Sequence, residues 1–351
     1  MAGRGSSHNV DHRFSGQRVD AVDDGWSQPE WEAAFAASDP RTEVTEISAR
    51  SIISYNSSPD VPFSRSINPY QGCEHGCIYC YARPSHAYLE LSPGLDFETR
   101  LFAKLNAAEL LRREFARPAY QPQTIVLGAN TDPYQPIEHH YRLTRQLLEV
   151  MLAYRHPVGI ITKSAMILRD LDLLTKLARK GLCQVMVSVT TLNEILRRQL
   201  EPRASTGAGR LKVVEKLAGA GVPVGVLVAP MIPRLNEPEL EQIIKGAAEA
   251  GAYCADYILL RLPHELAPLF SDWLDEHYPG QKEAILNQLR ASRDGTLNSP
   301  AFGSRMRGEG QFADLLAQRF RLIAKRLGLG KRHFQLRQDA FIRPGEQLRL
   351  F

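Results

Sequence analysis

The stretch INPYQGCEHGCIYCYARP, residues 67–84, holds three of the chain's five cysteines within eight positions. Cys73, Cys77 and Cys80 have the spacing C-x3-C-x2-C, which brings three sulfurs to one loop. A structural zinc site needs a fourth Cys or His nearby in paired spacing, and Cys183 and Cys254 stand far along the chain. His75, inside the loop, reads as a solvent-facing or loop-stabilising residue. A disulfide arrangement leaves an odd cysteine. Three thiolates holding a 4Fe-4S cluster, with one iron left open to bind a second molecule, use the whole count.

Outward from this loop, a chain of 351 residues is long enough for one large α/β domain with terminal extensions. Its hydrophobic fraction of 44% and charged fraction of 23% are ordinary for a soluble protein. No run approaches the ~18 apolar residues of a membrane span, so no membrane is expected. The opening MAGRGSSHNVDHRFSG lacks the apolar core of a secretory signal. A reducing cytoplasm is the expected location, and there clustered cysteines more often bind metal than pair.

Five short apolar runs follow the cysteines: TIVLGAN (124–130), PVGIITK (157–163), QVMVSVT (184–190), PVGVLVA (223–229) and YILLRLP (257–263). Near-continuous apolar strands suit a parallel sheet covered on both faces. A further strand around residues 64–70 makes six. Between the runs, Ile167, Leu171, Leu174 and Ala178 form one helical stripe, and Leu240, Ile243, Ile244 and Ala247 another. Thr191 with Glu194, and Asn236 with Glu239, have capping-box spacing. Gly181, Gly221 and Gly251 stand where helices end. One helix is expected over residues 137–155, and the chain after residue 265 turns mainly helical, including FADLLAQRFRLIAKRL (312–327). Strand, helix, strand in this rhythm predicts right-handed βα units in a barrel or doubly wound sheet.

Three divisions are expected: an extended, weakly ordered N-terminal arm (1–50), a core (51–290) and a C-terminal extension (291–351). Lys plus Arg against Asp plus Glu number 5 and 9 over residues 1–50, 27 and 26 over 51–300, and 11 and 4 over 301–351. Such a basic end makes nucleic acid a candidate partner through phosphate contacts, although charged faces are usually only solvated.

In a parallel barrel, function collects where strands end. The strand ends carry Asn130, Thr131 and Asp132; Thr162, Lys163 and Ser164; Ser188, Thr190 and Thr191; and the turn APMIP from Ala229 to Pro233. Strand beginnings are plainer. Ser164 and Thr191 read as helix caps, and Asp132 before Pro133 as a turn organiser. Lys163 needs an anion or a path to solvent.

The C-x3-C-x2-C loop with Tyr79 before its last cysteine resembles the signature of the radical S-adenosylmethionine superfamily. Its position after a first strand and before five more also resembles that superfamily's partial (β/α)6 TIM-like barrel, over roughly residues 55–290. The resemblance implies a 4Fe-4S cluster on Cys73, Cys77 and Cys80 and S-adenosylmethionine as second cofactor. It further implies a low-potential electron donor as partner. By this likeness Tyr79 lies against the adenine, Asn130, Thr131 and Asp132 bind the methionine amino group, and Lys163 and Arg203 meet its carboxylate. Ser188 would meet the ribose and Pro230 flank the adenine.

The contexts GCIYCYARP, GANTDPYQPIE, ITKSAMILRDLDLL and SVTTLNEILRRQLEPRAS resemble the spore photoproduct lyase-like group. In true lyases the two tyrosines flanking the last cluster cysteine take part in hydrogen-atom transfer. Tyr79 and Tyr81 match them, and Tyr81 is the candidate catalytic residue. Those lyases also use a cysteine near the end of the second strand, and none occurs here between Thr124 and Pro136. A radical enzyme with an unidentified substrate is therefore expected. Lyase-like DNA repair or nucleic-acid modification, and a non-enzymatic metal-cluster binding module, are the alternatives.

Overall fold

The computed structural model describes residues 3–15, 41–330 and 335–344. Among them, the strands in chain order are β1 (Glu43–Ile47), β2 (Ser54–Tyr55), β3 (Arg65–Ile67), β4 (Tyr70–Gln71), β5 (Arg100–Lys104), β6 (Ile125–Leu127), β7 (Val158–Thr162), β8 (Cys183–Ser188), β9 (Val224–Met231) and β10 (Cys254–Leu259). The main sheet runs β10-β9-β8-β7-β6-β3-β2. Every pair from β3 to β10 is parallel, and β2 is an antiparallel edge. Six parallel strands with intervening helices are the expected partial barrel. Among the described residues no pairing joins β10 to β2 or β3, so the sheet is open there. A small sheet, β1-β5-β4, lies beside the cysteine loop.

The parallel strands are apolar because both faces are covered: Ile125, Ile160, Val185, Val226 and Leu259 are all buried in one core. The helices around them are α1 (Ala107–Ala116), α2 (Leu143–Ala153), α3 (Leu171–Ala178), α4 (Glu194–Leu200), α5 (Gly207–Gly219) and α6 (Leu240–Glu249). On α6 the expected stripe, Leu240, Ile243, Ile244 and Ala247, is wholly buried. Of the other expected stripe, Ile167 and Leu174 are fully buried and Leu171 and Ala178 partly so; Leu173 and Leu177 join the buried face because Ile167 lies in a 3-10 turn over Ala165–Asp170, which shifts the phase of α3. Gly181, Gly221 and Gly251 have positive φ at the helix ends, as expected.

Three local readings are corrected. The single helix over 137–155 is broken at Arg142, whose φ is 52°. The cause is Glu138, buried, whose carboxylate turns back to accept the Thr144 and Arg145 amides and so starts α2 afresh. Neither capping box forms as spaced. Asn193 caps α4 through the Ile195 and Leu196 amides, while Glu239 accepts from Thr191 Oγ1 and the Leu192 amide across the loop. Asn236 does not cap; it bonds the Ile232 amide and the Thr190 and Pro230 carbonyls, tying the ends of β8 and β9.

The arm holds more order than its composition implies. Residues 43–47 form β1, and residues 3–15 pack along the cysteine loop; residues 16–40 lie outside the described residues. After β10 come α7 (Leu266–His277), α8 (Lys282–Ala291) and α9 (Gly310–Arg326), the last matching the helix expected from residue 312. Much of the extension's positive charge docks it. Arg305 pairs with Asp60, Arg307 with Asp256, and Arg319 with Glu237 and Glu241. No helix among the described residues is long and apolar enough to cross a membrane.

At the base of the sheet His156 is buried before β7. Its Nδ1 donates to the Pro157 carbonyl at 2.9 Å, its Nε2 accepts from Tyr120 at 2.8 Å, and its ring stacks on Phe115 at 4.3 Å. Burial pushes its pKa from 6.5 down to about 3. Between these values the unfolded chain binds a proton that the native chain does not, so stability falls as pH falls through that window. Denaturant titrations from pH 7 to 4 are expected to show a shallower loss in His156→Leu than in the unsubstituted protein; parallel losses would refute this.

Candidate active site

The cysteine loop is held from below by a buried ion pair. Arg83 and Glu98, both fully buried, bond to each other. Arg83 also donates from Nε to the Cys77 carbonyl at 2.8 Å and from Nη1 to the Pro93 and Gly94 carbonyls. Glu98 in turn accepts the amides of Gly5 and Ser6 at 2.9 and 2.8 Å. The N-terminal segment thereby lies across the loop, and a Cβ at Gly5 would overlap the Gly76 carbonyl oxygen. Gly76 itself has φ +67°, and a Cβ there would stand 2.6 Å from Glu98 Oε2. Only glycine satisfies both demands.

All five cysteines are free. Cys73 and Cys77 are buried and Cys80 is half-buried. Burial pushes the Cys73 thiol well up, helped by Asp132 and the neighbouring Cys77 and Cys80. Burial also pushes Cys77 up to about 11, although Lys163 pulls it down. Three sulfurs close enough to sense one another, in a polar cradle with a lysine, are a donor set for a cation that displaces their protons. Among the described residues no three His, Cys, Asp or Glu groups are spaced to share one metal ion. Thiolates of a 4Fe-4S cluster bond to separate irons and do not need such convergence, so the residues fit that group. His75 is buried rather than solvent-facing. Its Nδ1 stands 3.5 Å from Asp132 without a hydrogen bond, and burial lowers its pKa to about 4.

Behind the loop lies a charged network that pattern reading missed. Glu201, fully buried, pairs with the buried Arg210 and, at 3.2 Å, with Lys163. Its Oε1 also accepts from Tyr79 and, at 2.8 Å, from Thr190. Lys163, 16% exposed, further contacts Cys77 Sγ at 3.2 Å and Tyr79 Oη at 2.9 Å. Burial opposes the charge on both Glu201 and Lys163, yet the net effect lowers the Glu201 pKa, through Arg210 and Lys163, and raises that of Lys163, through Cys77, Tyr79 and Glu201. Glu201 ends α4 and Arg210 lies on α5; a lone acid beside a proline and an arginine within a helical stripe give no periodic signal.

The remaining strand-end residues divide by what their side chains already do. Asp132 accepts from the Tyr134 amide, Thr162 Oγ1 and the Lys163 amide, so it organises its turn. Thr131 donates to the Tyr70 carbonyl. Arg203 is engaged by Glu74 and the Gly3 carbonyl. The Pro230 carbonyl accepts from Asn236. Asn130 and Ser188 have no side-chain hydrogen bond among the described residues; their backbones bond Asn68 and Arg210. Tyr79 is buried with its hydroxyl in the network, whereas Tyr81 is 45% exposed and donates to the Ala129 carbonyl. Ser164 caps the turn after β7 through the Met166 amide. Cys183 and Cys254 begin β8 and β10, at the opposite end of the sheet. A cleft of about 520 Å³ lined by Arg142, Arg145, Leu168, Arg169, Leu171 and Asp172 includes none of these groups, and Arg145 and Arg169 there are paired with Asp170.

Residues 67–247 match the family model of the Radical SAM superfamily. An uncharacterised protein of Mycobacterium tuberculosis is 34% identical over 249 residues, 70% of this chain and 72% of the relative. One of Methanocaldococcus jannaschii is 26% identical over 254 residues, 72% and 90% of the respective chains. The fold is similar to that of spore photoproduct lyase complexed with dinucleoside spore photoproduct, with TM-score 0.58, 17% identity, and 81% of this chain and 79% of that one covered. It is equally similar, at TM-score 0.58, 18% identity and the same coverage, to a variant of that lyase with bound AdoMet and the dinucleoside. The chain belongs to the radical SAM superfamily and is an enzyme of the radical SAM type.

Replacing Glu201 by Gln leaves Arg210 and Lys163 buried without their carboxylate, which costs about 3–5 kcal/mol. Urea denaturation of Glu201→Gln is expected to show a loss of that order; a loss under about 1 kcal/mol would mean the network does not hold the loop to the strands.

Proposed function

We propose that Cys73, Cys77 and Cys80 hold a 4Fe-4S cluster, and that the enzyme uses S-adenosylmethionine to abstract hydrogen from a substrate still to be identified. The observation that carries this is the set of three free thiols on one glycine-bracketed loop, with Lys163 Nζ at the end of β7 standing 3.2 Å from Cys77 Sγ. Held by Cys73, Cys77 and Cys80, such a cluster would supply one-electron reduction, from a low-potential donor, for cleavage of the S-adenosylmethionine sulfonium, with methionine and 5'-deoxyadenosine as the expected products once hydrogen is taken from the substrate. Asn130 and Ser188, with side chains free to bond a ligand, are our candidates for its amino and ribose groups, and Pro230 for the edge of the adenine. Tyr79 and Lys163 bound the same space beside Cys77, and Lys163 supplies positive charge for a carboxylate. Thr131, Asp132 and Arg203 serve as positioning residues, since their polar atoms already hold the loops.

We assign this chemistry to a core of residues 51–290, with residues 1–50 as the N-terminal arm, residues 291–351 as the extension, and the cytoplasm as the compartment, in keeping with the free thiols. Tyr81 is our candidate for a hydrogen-transfer residue, because its ring is exposed directly after Cys80 and its hydroxyl bonds the Ala129 carbonyl next to Asn130. We do not extend the reading to spore photoproduct repair itself. The donor cysteine of that reaction has no counterpart between Thr124 and Pro136, and Cys183 and Cys254 lie at strand starts.

Anaerobic reconstitution with iron and sulfide is expected to load four irons per chain, with the electron paramagnetic resonance signal of a reduced 4Fe-4S cluster. Dithionite and S-adenosylmethionine should then yield 5'-deoxyadenosine. Cys77→Ala should lose both cluster and product, and undiminished four-iron loading in that variant would overturn the ligand assignment.

A further inference from the structure

Arg261 follows β10 and lies half-buried at the sheet's C-terminal end. Its guanidinium stacks on the Tyr81 ring with Cζ 5.0 Å from the centroid. Among the described residues it has no hydrogen bond and no ion pair, although it carries five donors. The acid in its neighbourhood, Asp60, is already taken by Arg305 and by the Gly303 amide. Two further cations adjoin it. Arg293 is buried and donates to the Leu259, Leu260 and Arg305 carbonyls, which satisfy its bonds and leave its charge. Arg305 lies near enough to repel the Arg261 charge. Arg261 and Arg305 thus share the one nearby carboxylate among the described residues, Asp60, with Arg293 adding a further positive charge beside Arg261.

Burying charge without a counter-ion is unfavourable, and here it lowers the Arg261 pKa, through desolvation first and with Arg305 adding to it. Arg293 is likewise lowered, to about 10, by burial and by Arg261. Unlike those of Arg293, the Arg261 donors are not given to carbonyls among the described residues, and none of its nitrogens is sealed from solvent, so they are open to a ligand. The other side of the Tyr81 ring system leads to the Ala129 carbonyl, next to Asn130. The unmatched cation therefore stands beside the residues that we assign to the reaction.

We propose that Arg261 is a specificity-determining residue that binds an oxyanion of the substrate, a phosphate ester or a carboxylate, beside the exposed Tyr81 ring. The inference rests on the proposed function in taking Tyr81 as a residue that the substrate reaches. A guanidinium stacked on an aromatic ring is held flat and presents its outer edge as a fork, which matches two oxygens of such an anion. Arg293 strengthens the local positive potential, and the Tyr81 ring, nearly half exposed, offers an apolar wall to whatever carries the anion.

The test uses the full-length chain as purified, without S-adenosylmethionine or reductant, and three probes: phenyl phosphate, benzoate and neutral phenol. Fluorescence or ligand-observed NMR titration is expected to show binding of at least one anion and much weaker binding of phenol. The preferred anion tells which source the substrate's charge has. Arg261→Gln should weaken the anion by roughly ten- to hundredfold, the scale of a charge-assisted bond lost, and Arg261→Lys should restore part of it. Phenylglyoxal should label Arg261 in the unsubstituted protein and be blocked by the same anion, which tests the site without any variant. Binding unchanged in Arg261→Gln, equal binding of phenol, or no anion binding at all would overturn the proposal. None of these outcomes bears on iron loading or 5'-deoxyadenosine formation, so failure here is distinguishable from failure of the radical reading.

Discussion

Glu201 is the constraint around which the site is assembled. A carboxylate with no exposure survives ionised only if cations and donors replace water, and here they come from separate elements: Arg210 from α5, Lys163 from the end of β7, Thr190 from the end of β8, and Tyr79 from the cysteine loop. Satisfying one buried charge therefore fixes the loop against two strand ends. Cys77 enters the same arrangement through Lys163. Moving any partner leaves another charge buried alone, so the pieces hold their positions together.

A second buried pair, Arg83 with Glu98, does for the outer side of the loop what Glu201 does for the inner side. Arg83 stitches the Cys77 carbonyl to the Pro93–Gly94 turn, and Glu98 receives the amides of the N-terminal segment. The loop is thus gripped between two carboxylates, neither of which belongs to the cysteine motif. Arg13 continues the segment's attachment by pairing with Glu265 beyond β10, so the chain's first residues bridge toward the open edge of the sheet. The loop carrying three thiols is in this way held by packing and charge from both sides.

Parallel strands, their helices and the cysteine loop were legible because each has a local cause. Buried strands demand apolar runs, α6 shows its stripe, and helix-ending glycines need positive φ. Errors arose where a side chain reached across the chain. Glu138 breaks a helix that periodicity would continue. Glu239 and Thr191 complete each other's contacts although each has a plausible partner three residues away. Arg305, Arg307 and Arg319 read as a basic surface until their acids, distant in sequence, are brought beside them.

What the sequence by itself determined is the family, the six-strand parallel core and the three thiols, since all depend on residue type at short spacing. Tertiary structure alone decided which strand-end residues are already committed and which remain available. It set Asp132, Thr131 and Arg203 to holding loops and, among the described residues, left Asn130 and Ser188 without side-chain bonds and placed Arg261 over Tyr81 without an ion pair. Hydrogen-bond and charge satisfaction is settled by groups that meet only after folding, and spacing along a chain carries no record of them.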